Sequence, residues 1–79
     1  MTFGVAFEQL TARYKLATIQ FLRGQTDVAI EQLMDIVKRD RSWNDDQARK
    51  QLLKFFDALG AANPATLKGR RKLSTVLFS

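Results

Sequence analysis

Apolar residues recur at three- and four-residue steps through four stretches of the chain, each closed by a glycine, a proline or a short polar run. That spacing lines side chains along one face of a helix. In the first stretch Phe7, Leu10, Tyr14, Ala17 and Phe21 form one stripe, which Leu16, Ile19 and Leu22 widen, and Gly24 ends it. Thr26 or Asp27 is expected to cap the second helix, whose buried face is Ile30, Leu33, Met34 and Val37, with Ala29 and Ile36 beside it. So short a link predicts an antiparallel helical hairpin.

Polar residues from Lys38 to Ser42 close the second helix. Asn44 is the expected cap of the third, with Ser42 competing, and Asp45 and Asp46 stand favourably at its positive end. Ala48, Leu52, Phe55, Phe56 and Leu59 make its apolar side, and Gly60 supplies the left-handed residue that commonly terminates a helix. Asn63-Pro64 is a second start signal, a cap followed by proline at the first helical position. Leu67, Leu73, Val76 and Leu77 complete a fourth amphipathic helix. No strand alternation interrupts this pattern. The expected fold is therefore all-α, four amphipathic helices arranged as two stacked antiparallel hairpins.

Size and composition narrow the function. At 79 residues the chain reads as a single small domain, and no apolar run approaches the roughly 20 residues that span a bilayer. No membrane partner is expected. The start, Met1 to Phe7, lacks the basic residue of a signal peptide, so a cytoplasmic location is the default expectation. Cysteine and histidine are both absent, which removes disulfides, thiol chemistry, the usual zinc sites and the side chain best suited to proton transfer near neutral pH. Asp45 and Asp46 do not make a metal site, because adjacent helical residues diverge by about 100° and no calcium-loop spacing surrounds them. No catalytic set or phosphate-binding loop can be assembled, and neither an enzyme nor a cofactor is expected.

The first hairpin resembles the tetratricopeptide pattern. Leu16-Ala17 is a large residue followed by a small one, Gly24 falls at the turn, Ala29 is the small residue that lets two helices approach, and Leu33 and Ile36 are core positions. It departs at Arg13 and Gln20, where that repeat has aromatic residues, and at Arg41, where proline is common. Trp43-Asn-Asp, the run from Ala48 to Phe56, Leu59-Gly60, Asn63-Pro64, Arg70-Arg71 and Leu77-Phe78 resemble the C-terminal tetratricopeptide-like domain of bacterial thioredoxin-family co-chaperones. The likeness runs from about Arg13 to Phe78, with residues 1–10 a poorly matched extension or the start of helix one. It implies a chaperone-associated, protein-binding module. The thioredoxin domain and its Cys-x-x-Cys motif are absent, so no redox role carries over, and a fragment of a longer protein and a stand-alone relative are both open readings.

Formal net charge is +5, which favours acidic partners through long-range attraction. Lys68, Arg70, Arg71 and Lys72 crowd one turn of the last helix, while Arg49, Lys50 and Lys54 line helix three. Their ordinary role is to cover core edges with long charged stems. Their functional reading is a partner-binding surface of Lys54, Arg70, Arg71 and Lys72 that orients an acidic or partly apolar protein, a chaperone or client-like partner. Nucleic acid is disfavoured, since no recognition helix or aromatic platform accompanies the charge. Asp27, Glu31 and Asp35 form an acidic line on helix two, a solvated face or one half of a head-to-tail homodimer with the basic cluster of a second copy. Self-association, or capping of a longer helical array, is thus the alternative function. Trp43 reads as core or as a hydrophobic staple, and Phe78 either docks on helix three or stays available to a partner.

Overall fold

The computed structural model describes the backbone of residues 2–78 and the side chains of residues 8–78. Phe7, expected on the first buried stripe, and Phe3 lie outside the described side chains. Four helices follow one another: α1 (Thr2–Leu22), α2 (Thr26–Arg39), α3 (Trp43–Leu59) and α4 (Pro64–Phe78). They pack as two hairpins, α1 on α2 and α3 on α4, with α3 laid against both helices of the first hairpin and α4 against α2.

Local chemistry explains the turns. Gly24 takes φ +83°, its amide donates to the Phe21 carbonyl at 3.1 Å, and the Gln25 amide donates to that of Gln20 at 2.8 Å. These two bonds are a Schellman closure, which satisfies carbonyls the end of α1 would otherwise strand. Gly60 turns the chain at φ +94° and ψ 151°, a region that only glycine visits freely, rather than in the left-handed helical well expected of it. Asn63 caps α4 as anticipated, its Oδ1 accepting the Ala65 amide at 2.9 Å, with Pro64 opening the helix.

Two other caps differ from expectation. Gln25 occupies the position before α2 and makes no side-chain cap bond, so Thr26 and Asp27 fall inside the first turn, where Asp27 still faces the positive helix end. Ser42, not Asn44, precedes α3, and its hydroxyl turns back to Asp40 Oδ1 at 3.1 Å. Asn44, Asp45 and Asp46 adopt left-handed φ angles of 48°, 60° and 61°, so the regular right-handed helix starts only after them. That conformation costs roughly 1–2 kcal/mol per ordinary residue and least for Asn and Asp.

Ala17, Ala29, Leu33, Met34, Ile36, Leu52 and Phe56 are fully enclosed and form the shared core. Ala17 and Ala29 let α1 and α2 approach closely, as the small-residue pattern requires. Phe21 and Phe55 stack with ring centroids 3.9 Å apart, tying α1 to α3. Trp43 is buried beside Tyr14, 5.5 Å between centroids, so it is core rather than a ligand platform. The Tyr14 hydroxyl accepts from Gln47 at 2.9 Å and donates to Gln51 at 3.1 Å.

The first and last stripes are narrower than the periodicity suggests. Leu16, Ile19 and Leu22 are exposed on the solvent side of α1. Leu67, expected in the buried face of α4, is 53% exposed. The physical reason lies at Gly69: a Cβ there would stand 2.5 Å from Phe56 Cε1, so the missing side chain fixes which face of α4 meets α3. Thr66, Gly69 and Leu73 are buried, and Leu67 is rotated into solvent. Phe78 is 85% exposed and does not dock on α3.

Candidate functional site

Net charge is unevenly distributed. Six basic and five acidic residues precede Trp43, whereas seven basic and three acidic residues follow from Trp43 onward. The second hairpin therefore carries +4 of the total +5.

The four cations singled out from the sequence do not form one patch. Lys72 lies on the flank of α4 that faces α2 and is ion-paired with Glu31. Arg71 is exposed and shares a shallow groove of about 290 Å³ with Lys72, Thr75, Val76 and Lys38 of α2. Arg70 is exposed on the opposite flank, in register with Thr66, Leu73 and Leu77 and therefore towards α3. Lys54 points outward from α3, about 200° around the helix from buried Leu52. Among the described residues, Lys54, Arg70 and Arg71 make no ion pair.

The acidic line of α2 is used within the chain. Asp35 pairs with Arg13 at 2.9 Å and with Arg39 at 3.4 Å, and Arg13 also donates to Gln32 Oε1 at 3.0 Å. Glu31 holds Lys72. Where α2 and α4 run side by side they enclose a groove of about 270 Å³ with Ile30, Ala65 and Gly69 among its apolar lining. Asp27 and Glu31 line one wall and Lys68 and Lys72 the other, so the groove has no net charge to draw an ionic ligand. The spacing in the sequence already gives the local Asp35–Arg39 pair, but not Arg13 or Lys72, because those cations come from other helices and Lys72 lies 41 positions from Glu31.

Leu53 was also missed. On α3, Gln47, Gln51 and Phe55 face α1, while Phe56 faces Gly69 of α4. Leu53 lies on that second flank, three residues before Phe56, and is 45% exposed. The signal was present in the i, i+4, i+7 spacing of Arg49, Leu53 and Phe56. Leu53 on α3 and half-buried Leu77 on α4 thus stand beside Arg70 on the outer side of the second hairpin, and Leu67 and Phe78 are exposed further round α4.

No described helix is long and apolar enough to cross a membrane, and the described residues contain no cluster of side chains able to hold a metal ion. Comparison with known proteins gives 27% identity over 71 residues, 90% of this chain, to an uncharacterised protein of Mycobacterium bovis. The same values hold for uncharacterised proteins of two Mycobacterium tuberculosis strains. The chain spans 23% of the length of each of these relatives. No solved structure matches it. A family model described as tetratricopeptide repeat matches residues 6–78, in keeping with the paired helices and the small residues at Ala17 and Ala29. The chain belongs to the tetratricopeptide repeat family.

Proposed function

We propose that this single helical domain is a non-enzymatic docking module that captures an acidic, partly apolar protein segment. Tetratricopeptide repeats in general mediate contact between proteins, and the second hairpin holds nearly all the net positive charge on exposed faces. The observation that carries the reading is the freedom of Lys54, Arg70 and Arg71 from ion pairs among the described residues, next to exposed leucine and phenylalanine. Lys72 contributes by exchanging Glu31 for a carboxylate of the partner. The resemblance to the C-terminal module of bacterial thioredoxin-family co-chaperones supports a chaperone-associated role in the cytoplasm, with a chaperone or a client-like chain as partner. A head-to-tail homodimer would have to exchange the Glu31–Lys72 and Asp35–Arg13 pairs within each chain for pairs between chains.

Reversing two charges, Arg70→Glu with Arg71→Glu, tests the reading. Both side chains are exposed, so helical circular dichroism should be unchanged while affinity for acidic peptides falls at least about ten-fold, or 1.4 kcal/mol. Unchanged affinity would remove these residues from the site.

A further inference from the structure

We infer that the outer face of the α3–α4 hairpin seats an amphipathic helix whose leucine stripe is bordered by Asp or Glu. This rests on the docking reading above and names the partner's shape and chemistry. The chain itself supplies the precedent for a helix as occupant. The first hairpin uses one of its two faces to receive α3, with Leu52 and Phe55 buried in the core that Ala17 and Leu33 share. In a stack of helical hairpins each unit presents the same face to its next neighbour. On the second hairpin that face receives no described element, and it carries Leu53 and half-buried Leu77, while Leu67 and Phe78 are exposed on the outward side of α4.

Charge selects among helices. Lys50, Lys54 and Arg70 are exposed around this face, with Arg71 further round α4 towards Lys38 of α2, and Asp57 is the exposed acid on the same stretch of α3. Arg49 is already held by Asp46 at 3.6 Å. An apolar stripe flanked by carboxylates satisfies both features together: its leucines cover Leu53 and Leu77, and its acids meet Arg70, Lys50 and Lys54 beside them. A second copy of this chain fits poorly, because the face carries Lys50, Lys54 and Arg70 against one acid, Asp57, and two such faces repel. The first hairpin's outer groove makes the contrast. It is bridged by Arg13, Gln32, Asp35 and Arg39, so its charges are satisfied and its walls joined.

The full 79-residue chain can be titrated, by fluorescence anisotropy, into a labelled model helix of about five turns with leucines at i, i+3 and i+7 and glutamates beside them. Two controls carry lysine in place of glutamate, or the same residues permuted so that the leucines no longer align. The glutamate helix should bind at least about ten-fold tighter than either control. Leu53→Glu should weaken it by about ten-fold with the circular dichroism unchanged, while Leu16→Glu on the first hairpin should leave it unaltered. Equal binding of the permuted peptide, with loss in the Arg70→Glu, Arg71→Glu chain, would overturn the helix groove yet leave the basic docking surface standing. No binding of any acidic peptide would overturn both. A dimer in sedimentation that Leu53→Glu converts to monomer would make a second copy the occupant, and tighter binding of mixed-sequence RNA would assign the surface to phosphates; either result overturns the inference.

Discussion

In the first hairpin Arg13 reaches from α1 across to Gln32 and Asp35 of α2, and Asp35 holds Arg39 in turn, so the outer groove is bridged by side chains that satisfy one another. In the second hairpin the exposed side carries Leu53 on α3 and half-buried Leu77 on α4, and Arg70 between them is unpaired among the described residues. The two units share an antiparallel pairing and small residues where the helices cross: Ala17 and Ala29 in one, Gly69 in the other. The contrast teaches that one helical-hairpin plan can close a face or leave it available through a few side chains that reach across between its helices.

Three changes probe that contrast. The largest effect is expected at the crossing of α3 and α4. Gly69→Ala places a methyl group against the Phe56 ring, and overpacking of this kind costs about 1–3 kcal/mol. Phe56→Leu should relieve part of it, so thermal unfolding of the two single variants and the double variant should show coupling of at least about 1 kcal/mol. Additive effects would mean that Gly69 is not what sets the rotation of α4.

A smaller gain is expected nearby. Thr66 is fully buried and its hydroxyl has no hydrogen-bond partner among the described residues. Thr66→Val removes that unsatisfied group at nearly constant volume and should raise stability by about 1 kcal/mol in urea unfolding. A loss instead would show that the hydroxyl is bonded in solution.

The smallest effect separates the outer faces. Arg13→Leu breaks a partly exposed ion pair and should cost no more than about 1 kcal/mol, with the cost shrinking at high salt. Leu67→Ser, on the second hairpin's exposed side, should change stability by less than about 0.5 kcal/mol. A larger loss at Leu67 would place it in the core that periodicity assigned to it.

Much of the fold was legible because helix spacing and punctuation are local. Gly24, Gly60 and Asn63-Pro64 mark helix ends in the sequence, and each ends or begins a helix in the structure. Ala29, Leu33 and Ile36 were assigned to the core and are buried. Legibility failed where two helices decide a residue's fate together. Leu67 satisfies the apolar period of α4, but the Phe56–Gly69 approach turns it outward. The cap of α3 failed for another reason: Asn44 is a good cap by type, yet Ser42 and Asp40 bond to each other and the chain enters α3 through left-handed residues. For the candidate site, the cations were visible as a cluster in sequence, but a helix separates Arg70 from Lys72 by about 200° and places them on opposite flanks.

By itself the sequence determined four helices, their hairpin pairing and a surplus of positive charge towards the C-terminus, because periodicity, turn chemistry and charge reside in neighbouring residues. Tertiary structure alone decided which cations of other helices the acids of α2 hold, which leucines stay in solvent, and which neighbouring helix each side of α4 meets. In the second hairpin those outcomes depend on how closely α4 approaches α3 and α2, which the absent side chain of Gly69 against Phe56 permits. In the first they depend on the α1–α2 contact that brings Arg13 to Asp35.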